Sequence, residues 1–203
     1  LFYRSITQLA GGTGFAIIAL SALAGPVGPG LTVAEGREEQ LLPNVRRSAR
    51  LVLTIYSGYI VLGVLGLRVA GMSWFDAVNH AFTSLSTGGF GTHPESIGYW
   101  QNRAIEAVIV VLMILGMVNF LTMYTLLRGH LRPLWRNSQL RLMIILLIAG
   151  TLILFFTVDP GVDAPPAARL RVGLFHAVSA LSTTGFSTVE VRHWSELGKL
   201  TLL

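Results

Sequence analysis

"HAFTSLSTGGFGTH", His80–His93, contains no Asp, Glu, Lys or Arg, yet it is too polar for a lipid-facing helix and ends among glycines. Further along, "HAVSALSTTGFST", His176–Thr188, repeats it. His, Ala, Leu, Ser, Thr, Gly, Phe and Thr recur in register at an offset of 96 (176 − 80). Recurrence at one fixed spacing implies a structural unit built twice. Each copy lies between apolar runs, so the unit reads as apolar helix, short polar-apolar segment with glycine, apolar helix.

The surroundings set the class. The 203 residues are 52% hydrophobic and 12% charged, with a mean hydropathy of +0.63. Soluble domains carry about 25% charged residues. A multi-span membrane protein fits this deficit, and a soluble core of this size does not. The long uncharged runs are Ser5–Ala34, Leu51–Leu67, Ala107–Leu127 and Leu142–Val158. Each can hold a helix of the ~17–25 residues that cross a ~30 Å hydrocarbon layer. The absence of cysteine excludes disulfides and thiolate metal sites. The chain opens on "LFYRSITQ" without Met or a signal-peptide pattern and stops on "GKLTLL" as another apolar run begins. It is expected to be a piece of a longer protein.

Charge placement decides whether the repeated segments cross the membrane or dip in and return. Eight of the fifteen Lys and Arg residues fall in two linkers: Arg37, Arg46, Arg47 and Arg50, then Arg128, Arg132, Arg136 and Arg141. The positive-inside rule puts both linkers in the cytoplasm. A spanning His80–His93 segment would set them on opposite sides; a re-entrant one keeps them together. Length agrees, because a helix over 73–86 is ~20 Å long, about half a bilayer. Ser73 is placed as its N-cap, with Asp76 in the first turn where the helix dipole favours a carboxylate. Gly88 and Gly89 are expected to stop the helix and turn the chain back. Trp74, Tyr99, Trp100 and Trp194 are expected in an interfacial aromatic belt. The small residues of Gly11–Gly14 allow close helix contact, and Pro26 and Pro29 end the first helix. The stretch around Leu41, Leu42 and Val45 reads as a cytoplasmic linker with an interfacial part.

Non-helical backbone at membrane depth survives where it is buried in protein or lines a watery path. "STGGFGT" and "STTGFST" should therefore face a cavity. They offer backbone carbonyls and hydroxyls with no carboxylate, a set suited to a dehydrated monovalent cation. The half-helix C-terminus adds partial negative charge. Gly89 and Gly185 permit the φ values that turn carbonyls inward.

At these residues the chain resembles the TrkH/TrkG/KtrB/HKT superfamily of potassium transporters. The stretches "QLAGGTG", "AGMSWFDAVNHAF" and "GGFGTHPESIGYW" are most similar to its bacterial TrkH branch. The resemblance implies an all-α polytopic membrane protein of repeated helix–pore-helix–helix units, with re-entrant half-helices and extended filter strands. Four such repeats surround one pore in that family. Carried over, 1–25 is the last helix of repeat one and 26–49 a cytoplasmic linker. Repeat two covers 50–127, with a pore helix at 74–86 and a filter at 87–91. A second linker follows at 128–139, then an incomplete repeat three at 140–203, with a pore helix at 168–183 and a filter at 184–188. Thr87, Gly88, Gly89, Phe90 and Gly91 would form one filter strand, and Thr183, Thr184, Gly185, Phe186 and Ser187 another. Potassium would bind at Thr87, Gly88, Gly89, Thr183, Thr184 and Gly185. The filter of repeat one, the gating loop and all of repeat four have no counterpart in the sequence, so these residues would not close a four-sided pore alone.

The implied activity is potassium uptake by channel-like permeation, with potassium as the transported ion, no organic cofactor and no enzymatic step. The setting is the bacterial cytoplasmic (inner) membrane, multi-pass and in contact with lipid. The implied partners are a second copy in a homodimer and a cytosolic nucleotide-binding regulatory subunit; no nucleic acid is expected. Two other readings stay open. A secondary transporter for another cation or solute also uses re-entrant half-helices. An intramembrane serine hydrolase using Ser84 or Ser86 with a histidine would lack both G-x-S-x-G and an acid to orient the base. His80 and His176 read as pore-helix packing residues, with proton or metal binding as the alternative. Asn119 can face a pore or bond a neighbouring helix. Arg68 reads as an interfacial snorkelling residue. The Arg128–Arg141 linker suits topology, anionic lipid or a regulatory subunit.

Overall fold

The computed structural model describes residues 1–23, 45–118, 137–157, 165–190 and 194–201, and every regular element among them is helical. In chain order these are α1 (Phe2–Leu23), α2 (Val45–Val69), α3 (Trp74–Leu85), a short 3-10 helix (Ser96–Trp100), α4 (Arg103–Met117), α5 (Ser138–Thr157), α6 (Pro166–Leu181) and α7 (Glu196–Thr201). Asn119 and Arg128–Arg136 lie outside the described residues, as do 26–44 of the first linker.

Among the described residues, two helical spans are long and apolar enough to cross a membrane, Val52–Val69 and Ser138–Thr157. Of the α5 span, 11% is buried. Leu142, Ile145, Ile148 and Phe156 stand exposed along it, as do Val61, Leu62 and Val69 on α2. An apolar face without a protein partner is what a hydrocarbon solvent requires.

The two short helices differ from the long ones. Helix α3 has 12 residues, a rise of ~18 Å, and α6 has 16, a rise of ~24 Å. Neither reaches across the layer. Ser73 caps α3: its Oγ accepts from the Asp76 N–H at 3.1 Å and donates to Asp76 Oδ2 at 2.7 Å. Helix α6 begins with Pro165 in extended conformation at the cap and Pro166 at the first helical position, where a missing N–H costs nothing. It therefore starts two residues before the expected 168 and ends at Leu181.

Helix α3 packs against α1, α2 and α4; α6 packs against α5 and α4. One core joins both units. Leu67, Ala77, Ala81, Ile105, Ile109 and Met113 of the first meet Phe175, Val178 and Phe186 of the second. A second cluster, Ile55, Tyr56, Tyr59 and Leu85, seats the end of α3 on α2. A third, Leu154, Val172, Ala177 and Trp194, holds α6 to α5. Trp74 and Tyr99 are exposed and Trp100 is half-buried, but Trp194 is buried. Trp194 departs from the expected belt because its ring packs edge-on to His176, centroids 4.7 Å apart. Arg68 donates to the Met72 carbonyl at 3.3 Å and lies 5.5 Å from the centroid of exposed Trp74.

Candidate functional site

The offset of 96 reappears in the hydrogen bonds. Ser86 N–H bonds the Phe82 carbonyl (3.0 Å), and Ser182 N–H that of Val178 (2.9 Å). Thr87 N–H reaches the Ser84 carbonyl and Gly88 N–H that of Thr83; Thr183 reaches Ala180 and Thr184 reaches Ser179. Both helices thus end in a Schellman motif, which satisfies carbonyls that a helix C-terminus leaves unpaired. The left-handed residue of that motif is usually glycine. Here it is Thr87 (φ 54°) and Thr183 (φ 58°). The turn expected at Gly88-Gly89 begins one residue earlier, on a β-branched side chain that resists this conformation. Strain of this kind persists where surrounding bonds over-determine it. Two residues on, Gly89 (φ 69°) and Gly185 (φ 81°) return to positive φ, which costs glycine nothing.

Beyond these caps the chain has no regular secondary structure, and the two segments meet. A Cβ added at Gly89 would fall on the Thr184 carbonyl oxygen, whereas one at Gly185 meets nothing within 4 Å. Helix α1 supports the first segment from one side. Gln8 Nε2 donates to the Gly88 carbonyl at 3.4 Å, and Gly88 has no room for a Cβ beside the Gln8 amide. A Cβ added at Gly12 would meet Ser86 at an ordinary van der Waals distance of 3.4 Å, and one at Gly11 meets nothing within 4 Å, so neither glycine is required by the packing of α1 there. Arg4 lies 5.1 Å from the centroid of the exposed Phe90 ring. From the other side, Tyr56 OH donates to the Leu85 carbonyl at 2.9 Å. Gly116 of α4 sits against that same carbonyl, with no space for a Cβ.

The second segment is held differently. Thr184, which the offset sets against Gly88, pairs its Oγ1 with Ser182 Oγ at 2.7 Å. The Phe186 carbonyl accepts from Ser179 Oγ at 2.8 Å. The Ser187 carbonyl accepts from Gly98 N–H at 3.2 Å, and Ser187 N–H donates to Ser96 Oγ at 3.2 Å. Among the described residues, the carbonyls of Thr183, Thr184 and Gly185 accept no hydrogen bond, nor do those of Thr87 and Gly89.

His80 and His176 are buried in matching places. Each ring Nδ1 lies 2.9 Å from the carbonyl four residues earlier, Asp76 and Val172. His80 stacks on Phe186 of the other unit at 5.8 Å and meets Trp100 edge-on at 5.0 Å. These contacts are packing, and no group of three His, Asp or Glu able to hold a metal occurs among the described residues. Ser84 Oγ donates to the His80 carbonyl within its own helix. At the N-terminal end of α3, Asp76 Oδ1 accepts from Thr92 Oγ1 at 2.7 Å and lies 4.0 Å from His93 Nε2. Partial burial works to raise the Asp76 carboxyl. The hydroxyls of Thr92 and Ser73, with His80 and His93 nearby, outweigh that effect and hold it below the usual carboxylate range. The second unit has Val172 in this place. Between units, Arg171 Nη1 of α6 pairs with Glu106 Oε1 of α4 at 2.7 Å.

Sequence reading reached the two segments but not their supports. Gln8, Tyr56, Ser96, Gly98 and Gly116 act from distant parts of the chain, which local patterns do not join, and Ser179 lies inside the repeated stretch with nothing in the pattern to mark its bond to Phe186. Only the offset itself, setting Ser179 against Thr83, carried a trace of them.

Compared with known proteins, residues 1–203 match the family model described as TrkH, cation transport protein. The chain belongs to the TrkH family. It is 31% identical over 205 residues to the Trk system potassium uptake protein TrkH of Escherichia coli K12, covering 96% of this chain and 42% of that protein. It is 30% identical over 202 residues to the Trk system potassium uptake protein TrkG of the same strain, covering 96% and 41%. The crystal structure of the potassium transporter TrkH from Vibrio parahaemolyticus superposes with a TM-score of 0.84 at 26% identity, covering 99% of this chain and 42% of that one. The TrkH-family chain described here therefore spans about two fifths of the length of these relatives, and it is a helical membrane protein like them.

Proposed function

We propose that this chain supplies two of the walls of a potassium-conducting path across the bacterial cytoplasmic membrane. The observation that carries the reading is the meeting of two offset-96 segments at Gly89 and Thr184, with unpaired backbone carbonyls at Thr87, Gly89, Thr183, Thr184 and Gly185. Carbonyl oxygens replace the water shell of potassium, and selectivity follows from their number and field. Thr87, Gly88, Gly89, Phe90 and Gly91 form one ion-lining segment and Thr183, Thr184 and Gly185 the other. The Phe186 and Ser187 carbonyls, bonded to Ser179 and Gly98, serve the second segment as anchors. The rest of the parent protein would close the ring. Permeation makes and breaks no covalent bond, and potassium is cargo. A homodimer in the membrane and a cytosolic nucleotide-binding regulator belong to the same proposal, on family resemblance.

Growth rescue tests it. The full-length parent is expressed in a bacterium lacking potassium uptake, and external potassium is titrated. Rescue at low potassium, lost in Gly89→Ser and Gly185→Ser at normal membrane levels, is the expected result. Uptake of another solute, or rescue untouched by both variants, would move the reading to a secondary transporter.

A further inference from the structure

We infer that Ser179 is a positioning residue that withdraws the Phe186 carbonyl from the ion path, so that the two segments present unequal sets of ligands. The inference rests on the proposed potassium path and deepens it. Ser179 is buried on α6, and its Oγ donates to the Phe186 carbonyl at 2.8 Å. Its counterpart in the first unit, 96 residues earlier, is Thr83. Thr83 is equally buried, but its Oγ1 donates to the Asn79 carbonyl at 3.0 Å, inside its own helix. Among the described residues, no hydroxyl behind the first segment holds the Phe90 carbonyl.

The difference is chemical. A threonine in a helix is restricted at χ1 and bonds back to the i−4 carbonyl readily. Serine lacks the branching methyl; Ser84 still bonds back to the His80 carbonyl, whereas Ser179 reaches forward to Phe186. The next residue along the segment is also tied. Ser187 is bonded at both its N–H and its carbonyl by the Ser96–Gly98 turn of the first unit. A Cβ at Gly98 would come within 2.7 Å of the Thr188 carbonyl, so this turn has to be close. The rings follow the same asymmetry: Phe186 is 2% exposed and Phe90 is 45% exposed. The second segment therefore stops offering free carbonyls at Gly185, while the first, with Gly88 accepting from Gln8, still offers that of Phe90. The outermost ion position has one ligand fewer on that side, which weakens its preference for potassium over sodium.

The test is potassium and sodium uptake through the full-length parent, measured as a selectivity ratio in the uptake-deficient bacterium. Ser179→Ala frees the Phe186 carbonyl, and the expected outcome is a ratio raised about 2- to 10-fold, the span one hydrogen bond is worth. Ser179→Cys keeps nearly the same volume with a weak donor and should shift the ratio the same way, which keeps the test open if the alanine variant is poorly inserted. Thr83→Ala removes a hydroxyl of equal burial that bonds only within its helix, and should leave the ratio unchanged. A shift of equal size in Thr83→Ala and Ser179→Ala would overturn the inference, because it reports general loosening of the short helices. An unchanged ratio in Ser179→Ala and Ser179→Cys, with Gly89→Ser inactive, would overturn it while leaving the potassium path standing. Insensitivity of all of these, Gly89→Ser included, would remove the path itself.

Discussion

Gly89 and Thr184 stand against each other so closely that a side chain on the first would occupy the carbonyl oxygen of the second. The two segments are therefore in direct contact, and their approach depends on a residue without a Cβ. Gly185 has the same positive φ but open space around it.

The two glycines should consequently respond unequally to substitution. Gly185→Ala meets the left-handed backbone penalty of about 1–2 kcal/mol. Gly89→Ala meets the same penalty and must also displace the neighbouring backbone, adding about 1–3 kcal/mol. Thermal unfolding of the detergent-solubilised full-length parent checks this. Equal losses at the two positions would mean that Gly185, too, has a close neighbour in the parent protein.

The Leu85 carbonyl, at the last residue of α3, is fixed from two helices. Tyr56→Phe deletes the phenol hydroxyl that donates to it and should cost about 0.5–1.5 kcal/mol. Gly116→Ala pushes a methyl into the same carbonyl and should cost about 1–3 kcal/mol. Because both act on one atom, their effects should not add. A double variant whose loss equals the sum of the singles would argue that α2 and α4 seat the short helix independently.

Arg171 and Glu106 tie the second short helix to the helix closing the first unit. Glu106 is 5% exposed, so removing its partner strands a buried carboxylate. Arg171 is about one third exposed, which tempers the effect. Arg171→Ala should lower stability by about 1–3 kcal/mol, and Arg171→Ala with Glu106→Gln should recover part of it. If the second change deepens the loss, the carboxylate has a further role of its own.

The repeat, the half-length helices and the Ser73 cap were legible because each is local: an offset, a length, a hydroxyl three residues before an acid. The helix-ending residue was not. Glycines at 88 and 89 look like the natural stop, yet the left-handed position fell on Thr87, one residue earlier, where the bonds to Ser84 and Thr83 close the helix. Trp194 looked interfacial by residue type, and its burial follows from His176 and Leu154, neither adjacent in sequence. The Thr83 and Ser179 hydroxyls take different partners, the carbonyls of Asn79 and Phe186, a division that no hydrophobic pattern registers. Contacts made by one unit on the other, such as Ser96 to Ser187, lie beyond any short-range signal.

Asp76 gives a pH signature. Its carboxyl is held below its ordinary value, so the folded state prefers the ionised form. A depressed carboxylate contributes stability that is complete above the unfolded value of about 4 and is lost as pH falls through the folded value. Asp76→Asn cannot accept from Ser73 and Thr92 as an anion, so it should be less stable than the unsubstituted protein near neutral pH. The gap should narrow steadily below about pH 4. Melting temperatures of the two full-length proteins between neutral pH and the onset of acid unfolding measure it. A gap independent of pH would show that the Thr92 and Ser73 bonds act through the shape of the side chain and not through its charge.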